Sequence, residues 1–280
     1  MKTFLCTMAA ALILASAAAR AETVHFPSGT VPPTPLQERL ARERSETVER
    51  RKGDDLVGEL YRPGGAGPFP AVVLLHGCNG RSPGVWEDAA AARYVELGYV
   101  TLIVDSFATR GLTTACTGGE RIPDRVMDAY GGLDYLANLS FVKPDRIGVV
   151  GFSQGAMAAL SAVAVQGVET QLERHFAVAV AYYPSCSDRD GAFTVPTLIL
   201  IGERDDWTPA RDCQAMMTRR TGEGAPLKLV VYPNAYHSFN SRSLRERPRT
   251  LLGHHLEYDE AADTAAWQEM TALLSRALGL

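Results

Sequence analysis

Six short apolar runs punctuate the chain: Ala71 to Leu75, Tyr99 to Val104, Arg146 to Val150, Phe176 to Ala181, Thr197 to Ile201 and Lys228 to Tyr232. They are continuous rather than alternating, as strands buried on both faces of a parallel sheet must be. Between and after them lie segments of helical period near residues 85–97, 123–138, 154–166, 209–219 and 261–277. Ahead of the first run, Glu46 to Arg51 and Leu56 to Tyr61 flank the polar Lys52-Gly53-Asp54-Asp55 and predict a hairpin. A hairpin followed by alternating β and α predicts an α/β domain over residues 46–280, built on an eight-stranded, mostly parallel, doubly wound sheet. Ligands of such sheets bind at the carboxyl ends of the strands, so the loops after each run are where chemistry is sought.

The N-terminal stretch follows a different pattern. Lys2 precedes an apolar run from Phe4 to Ala19, and Ala19-Arg20-Ala21 is a small-x-small site that a signal peptidase accepts, so residues 1–21 read as a signal peptide. The run is shorter than the roughly 20 residues a spanning helix needs, and no cysteine follows it at the cleavage point. An exported chain, periplasmic or extracellular and without stable membrane association, is therefore expected to start near Glu22. Residues 22–45, with Pro27, Pro32, Pro33 and Pro35 and then a charged stretch, read as an extended arm.

Charge narrows the partners. The full chain carries a formal net charge of −4, and removal of residues 1–21 takes away Lys2 and Arg20 but no acid, leaving −6. That argues against nucleic acid or an anionic membrane surface and leaves a small molecule as the expected partner. No oligomeric state is readable. Export also leaves four cysteines, Cys78, Cys116, Cys186 and Cys213, in a compartment where disulfides persist. Four cysteines allow three pairings.

The candidate chemistry starts at Gly151-Phe152-Ser153-Gln154-Gly155, between the run Arg146 to Val150 and the helix-forming Ala156-Met157-Ala158-Ala159-Leu160. Gly-x-Ser-x-Gly in that context is a nucleophile elbow, a strained turn that exposes the serine hydroxyl. A serine needs a base, and the base an orienting acid, so an acid and then a histidine are expected at later strand ends. Thr197 to Ile201 is followed by Gly202-Glu203-Arg204-Asp205-Asp206-Trp207-Thr208-Pro209, and Lys228 to Tyr232 by Pro233-Asn234-Ala235-Tyr236-His237-Ser238-Phe239. Asp205, four residues before the helix-opening Pro209, is the chosen acid, with Asp206 and then Glu203 as alternatives. His25, His76 and His175 come too early in the chain, and His254-His255 reads as a solvated surface pair, which leaves His237 as the base. An oxyanion hole needs two backbone N–H groups: one from Gln154, after the nucleophile, and one from Cys78 in His76-Gly77-Cys78-Asn79-Gly80. His76 reads as structural. No clustered His and carboxylate spacing suggests a metal, and no cofactor is implied.

In these segments the chain resembles the dienelactone hydrolases, from about Leu56 to the C-terminal helix. The resemblance is carried by Leu75 to Gly80, Val104 to Gly111, Gly151 to Gly155, Gly202 to Pro209 and Tyr232 to Phe239. It implies the α/β-hydrolase fold, sheet order 1-2-4-3-5-6-7-8, the Ser153, Asp205 and His237 triad, and an arginine, Arg110, near the substrate. The namesake enzymes of that family carry a cysteine in the elbow where this chain has Ser153, so it looks like a serine-type branch. About fourteen residues, Tyr182 to Val195, separate the sixth and seventh strands, too few for a helical cap, so no large cap domain is expected. The cleft is expected to be open, walled by Phe107 to Ile122 and by Tyr182 and Tyr183, with Trp207 a further candidate for substrate contact. Pairing loops that follow neighbouring strands predicts disulfides Cys78–Cys116 and Cys186–Cys213. The expected function is hydrolysis of a carboxylic ester or lactone through an acyl-enzyme. A peptidase or polyester hydrolase using the same triad, and a non-catalytic binding protein, are the alternatives.

Overall fold

In the computed structural model, which describes residues 21–30, 33–81, 86–117 and 122–280, the six apolar runs are strands of one eight-stranded sheet. Its strands in chain order are β1 (Ala21–Pro27), β2 (Asp55–Tyr61), β3 (Phe69–Leu75), β4 (Val100–Asp105), β5 (Val142–Phe152), β6 (Val178–Tyr182), β7 (Thr197–Gly202) and β8 (Leu227–Tyr232). Spatially they run β1-β2-β4-β3-β5-β6-β7-β8. β1 and β2 pair antiparallel, as do β2 and β4, and every later pairing is parallel. Helices α1 (Pro35–Arg44), α2 (Trp86–Glu96), α3 (Arg125–Ala137), α4 (Gln154–Ala162), α5 (Ala210–Arg219) and α6 (Glu260–Leu278) connect and flank the strands. A small antiparallel hairpin, β9 (Arg249–Leu251) and β10 (His254–Leu256), stands apart from the sheet. This is the α/β-hydrolase fold, and among the described residues no large cap is inserted between β6 and β7.

The apolar runs hold because nearly all their side chains are buried. Val72, Val73 and Leu75 of β3, Val149 and Val150 of β5, Val178 to Ala181 of β6 and Ile199 to Ile201 of β7 expose none of their surface. At roughly 1.5–3 kcal/mol for each large aliphatic side chain, this layer is the main stabilising term. α3 and α4 pack together against β5, whereas α2 and α6 meet through an edge-on contact of Tyr94 with Trp267.

The outer antiparallel strand differs from the sequence expectation. The partner of β2 is Ala21–Pro27, in register from Ala21 opposite Tyr61 to Pro27 opposite Asp55, not Glu46 to Arg51. The reason is burial: Val24 and Phe26 are buried, and Phe26 stacks on Tyr135 of α3 at 5.2 Å, while Glu46 to Arg51 contains a single aliphatic residue, Val48, with little to bury. Residues 22–45 are accordingly not one extended arm. They supply the edge strand and then α1, opened by a capping box in which Thr34 accepts from the Gln37 N–H. The sheet thus begins before residue 46. The expected signal segment, apart from Ala21, lies outside the described residues.

Both disulfides join the expected pairs, Cys78 with Cys116 and Cys186 with Cys213. The first ties the loop after β3 to the loop after β4, and the second ties the loop after β6 to α5. No helix among the described residues is long and apolar enough to cross a membrane.

Candidate active site

Ser153 sits between the end of β5 and the start of α4 with φ 53° and ψ −117°, a conformation that side chains rarely adopt and that costs about 1–3 kcal/mol where surrounding structure imposes it. The surroundings do impose it. A Cβ on Gly151 would lie 2.2 Å from the Gly155 carbonyl oxygen, and one on Gly155 would lie 2.2 Å from the Leu75 carbonyl oxygen. Both glycines of the elbow are therefore obligatory. The Ser153 N–H donates to the Tyr182 carbonyl at 2.9 Å, which pins the turn to β6.

Three side chains converge on this point. His237 Nε2 lies 3.0 Å from Ser153 Oγ, and His237 Nδ1 lies 2.8 Å from Asp205 Oδ2. Both rest in the protein interior, with Asp205 and His237 exposing 4% and 2% of their surface. Asp205 Oδ1 accepts from the backbone N–H groups of Trp207 and Thr208 at 3.0 and 2.8 Å, and the Thr208 hydroxyl is 2.9 Å from Oδ2. That turn fixes the carboxylate before the imidazole meets it. Asp206 points elsewhere and accepts from the His255 N–H at 3.2 Å, while Glu203 accepts from the Asn234 N–H at 3.0 Å. Of the three carboxylates weighed in the sequence, Asp205 alone is hydrogen-bonded to His237.

The loop His76 to Gly80 runs against the elbow, with the Gly77 Cβ position 3.6 Å from Ser153 Cβ. Cys78 is anchored three ways: by its disulfide, by the Ala115 N–H donating to its carbonyl at 2.7 Å, and by the Thr114 hydroxyl at 3.3 Å from that same oxygen. Gln154 is the first residue of α4, so its N–H has no partner within the helix and faces the elbow end.

Ser153 and His237 open onto a cleft of about 560 Å³. Tyr183 and Trp207 line it, as expected, and their rings lie 4.6 and 5.2 Å from that of His237. Tyr182 does not line it. It is buried and stacks on Phe152 at 5.0 Å, whereas Tyr183, just past the end of β6 with a φ of 43°, turns its ring onto His237. Arg110 is likewise away from the cleft. Its guanidinium grips Asp128 through two bonds of 2.8 Å and Asp54 through a third of 2.8 Å, in a separate pocket beside Asp124. The expected wall from Phe107 to Ile122 lies partly outside the described residues, and Phe107 itself is buried against His76.

The wall comes instead from residues 238–256, which include Leu244, Arg247, Arg249 and Leu256. Leu256 of β10 forms a backbone bridge to His237, and His254 stacks on Trp207 at 4.8 Å while its Nδ1 lies 3.5 Å from Asp206. The His254-His255 pair is thus only partly exposed and braces the site, in place of the solvated surface pair expected. The isolated short hairpin that does this carries a weak period, and no local signal in Arg249 to Leu256 ties it to His237.

A parallel sheet with a strained serine elbow at its carboxyl edge defines the α/β-hydrolase class. The model of the dienelactone hydrolase family matches residues 56–278, and the chain belongs to that family of hydrolases. A Bradyrhizobium protein named as a probable 2-oxo-3-(5-oxofuran-2-ylidene)propanoate lactonase is 26% identical over 207 residues, 67% of this chain and 80% of its own. Among solved structures, the dienelactone hydrolase of Anabaena variabilis has 20% identity and a TM-score of 0.61, covering 93% of this chain and 99% of its own. A dienelactone hydrolase-like promiscuous phosphotriesterase, P91, from metagenomic libraries also has 20% identity, with a TM-score of 0.68 and coverage of 94% and 100%. At those identities the two structures speak for the fold alone.

Proposed function

We propose that this protein is an exported hydrolase of carboxylic esters or lactones that works through Ser153, His237 and Asp205. The observation that carries the reading is the relay of 3.0 Å from Ser153 Oγ to His237 Nε2 and 2.8 Å from His237 Nδ1 to Asp205 Oδ2, mounted on a strained elbow. In the mechanism His237 takes the Ser153 proton as Oγ attacks the carbonyl. Asp205 holds the imidazole in the tautomer with its proton on Nδ1 and stabilises the imidazolium that forms. The N–H groups of Gln154 and Cys78 receive the oxyanion, each such donor contributing about 3 kcal/mol. His237 then protonates the leaving oxygen, and a water molecule, activated by the same imidazole, releases the acyl group. No step calls for a cofactor.

The cleft favours substrates that carry a carboxylate. Arg247 and Arg249 line it, both are exposed, and neither has an acidic partner among the described residues. A guanidinium binds a carboxylate through two parallel hydrogen bonds. The propanoate lactone in the name of the Bradyrhizobium relative is a substrate of that kind. Export is supported by the N-terminal apolar segment and is compatible with the two disulfides. A panel of neutral esters, carboxylate-bearing esters, lactones and a peptide amide tests the reading. Turnover of esters or lactones, lost in Ser153→Ala and in His237→Ala, is expected. Turnover of the amide alone, or ester turnover that survives Ser153→Ala, would overturn it.

A further inference from the structure

The mechanism leaves one buried imidazole at the site without a task. His76 follows β3 directly, exposes 1% of its surface and packs edge-on against Phe107 at 4.7 Å. Its tautomer follows from its neighbours. The Ser106 backbone N–H, which can only donate, lies 3.2 Å from His76 Nε2, so Nε2 is the acceptor and the ring proton is on Nδ1. Nδ1–H therefore donates to the Gly77 carbonyl, at 2.7 Å. Burial, with the neighbouring Arg125 cation, holds the imidazole well below its usual range, so it stays neutral.

The Gly77 carbonyl and the Cys78 N–H are the two ends of one peptide unit. A hydrogen bond accepted at the oxygen draws electron density toward it and makes the N–H at the other end a stronger donor. The units on either side are fixed as well. The His76 carbonyl accepts from Arg125 Nη2 at 2.7 Å, and Arg125 Nη1 donates to the Gln154 side-chain oxygen at 3.1 Å. On the far side the Cys78 carbonyl is held by Ala115.

We infer that His76 is a positioning residue of the oxyanion hole, its Nδ1–H orienting and polarising the Gly77–Cys78 peptide so that the Cys78 N–H meets the developing negative charge. The inference rests on the proposed Ser153 mechanism. It runs as a relay of donors, from Ser106 N–H to Nε2, from Nδ1–H to the Gly77 oxygen, and from Cys78 N–H to the oxyanion.

Two amide variants separate this role from packing. In His76→Asn the side-chain amide stands where Nδ1 stood and keeps a donor for Gly77. In His76→Gln it reaches the place of Nε2, satisfies Ser106 and leaves the Gly77 oxygen only the longer bond from the Gly80 N–H, at 3.3 Å. The first readout needs no activity: the Cys78 amide nitrogen resonance should move upfield in His76→Gln and stay near wild type in His76→Asn. The second is kinetic. His76→Gln should lower kcat about tenfold, less than loss of a whole oxyanion donor, with KM within about twofold, and should weaken a trifluoromethyl ketone, whose adduct places an oxyanion in the hole, by the same factor. His76→Asn should keep both near wild type. An unmoved Cys78 resonance in His76→Gln, equal kcat losses in the two variants, or a change in KM instead of kcat would overturn the inference. If His76→Gln does not fold, His76→Asn decides alone, since a tenfold loss of kcat in it would contradict the role of Nδ1. If the wild type neither turns over esters nor reacts at Ser153, the mechanism fails separately and the Cys78 resonance still decides what His76 does.

Discussion

Replacing Arg110 by alanine should cost the protein stability and leave its substrate preference unchanged. The guanidinium binds Asp128 through two bonds of 2.8 Å, Asp54 through another of 2.8 Å and the Ser106 carbonyl at 2.7 Å. The Asp128 side chain is fully buried, and without Arg110 it keeps one hydrogen bond, from the Ser28 hydroxyl at 2.7 Å, and the more distant attraction of the Arg125 cation. Breaking a buried pair from one side leaves an uncompensated charge and typically costs about 3–5 kcal/mol. The bond to Asp54, whose side chain is 67% exposed, adds little beyond that. The Ser28 hydroxyl and the 14% exposure of Arg110 place the expected loss near the lower end, about 3 kcal/mol, or a fall in Tm of about 6–12 °C for a domain of this size. Thermal and urea unfolding of the wild type, Arg110→Ala, Asp128→Asn and the double variant would measure it. The double variant should recover part of the loss, because both charges are then gone. Kinetics on a neutral and a carboxylate-bearing ester should show the same KM ratio as the wild type. An unchanged Tm, together with a rise in KM confined to the carboxylate-bearing ester, would refute the structural assignment and return Arg110 to the substrate.

Asp205→Asn should lower kcat by roughly three to four orders of magnitude, as loss of the orienting acid does elsewhere, while Asp206→Asn stays within a few-fold; the reverse ranking in steady-state kinetics would move the acid to Asp206. Alanine at both Arg247 and Arg249 should raise KM for carboxylate-bearing substrates by about tenfold, corresponding to 1.4 kcal/mol, with an effect that shrinks in high salt; equal losses on neutral esters would deny them that role. Acid should destabilise the fold through His76. Its pKa is lowered in the folded protein by burial and then by the Arg125 and Arg81 cations, so below the unfolded value near 6.5 the unfolded chain binds the extra proton. Stability contributed by the neutral ring is then present above that pH and lost as pH falls through it, by up to about 1.4 kcal/mol per unit. Urea unfolding at pH 6.5 and 5.0 should show that slope in the wild type and a shallower one in His76→Asn, and equal slopes would contradict it.

The sheet was legible because parallel strands buried on both faces leave continuous apolar runs, such as Thr197 to Ile201, which no other element of that length imitates. The elbow was legible for a related reason. Gly151 answers to a backbone contact within its own turn and Gly155 to the end of the neighbouring β3, and the Gly-x-Ser-x-Gly spacing marks both. The outer edge strand was not, since its partner choice depends on which half-buried segment reaches β2. The alternation of Val24 and Phe26 lies next to a signal-like segment and, at Phe26, thirty residues from its partner Leu56, whereas Glu46 to Arg51 lies close by with only Val48 to bury. The pairing of Arg110 was not legible because its partners, Asp54 and Asp128, come from the turn just before β2 and from α3 and are adjacent only once the sheet has formed. The same holds for the cleft wall: residues 238–256 follow no strand period, and Leu256 reaches His237 through a backbone bridge that no spacing announces.

The most direct measurement is the site of covalent labelling by a fluorophosphonate, read by mass spectrometry of the digested protein. One adduct is expected, on Ser153, formed at a rate that tracks loss of ester hydrolysis, absent in Ser153→Ala and strongly slowed in His237→Ala. An intact Ser153 after prolonged exposure, or an adduct on another residue that accounts for the lost activity, would contradict the proposed mechanism.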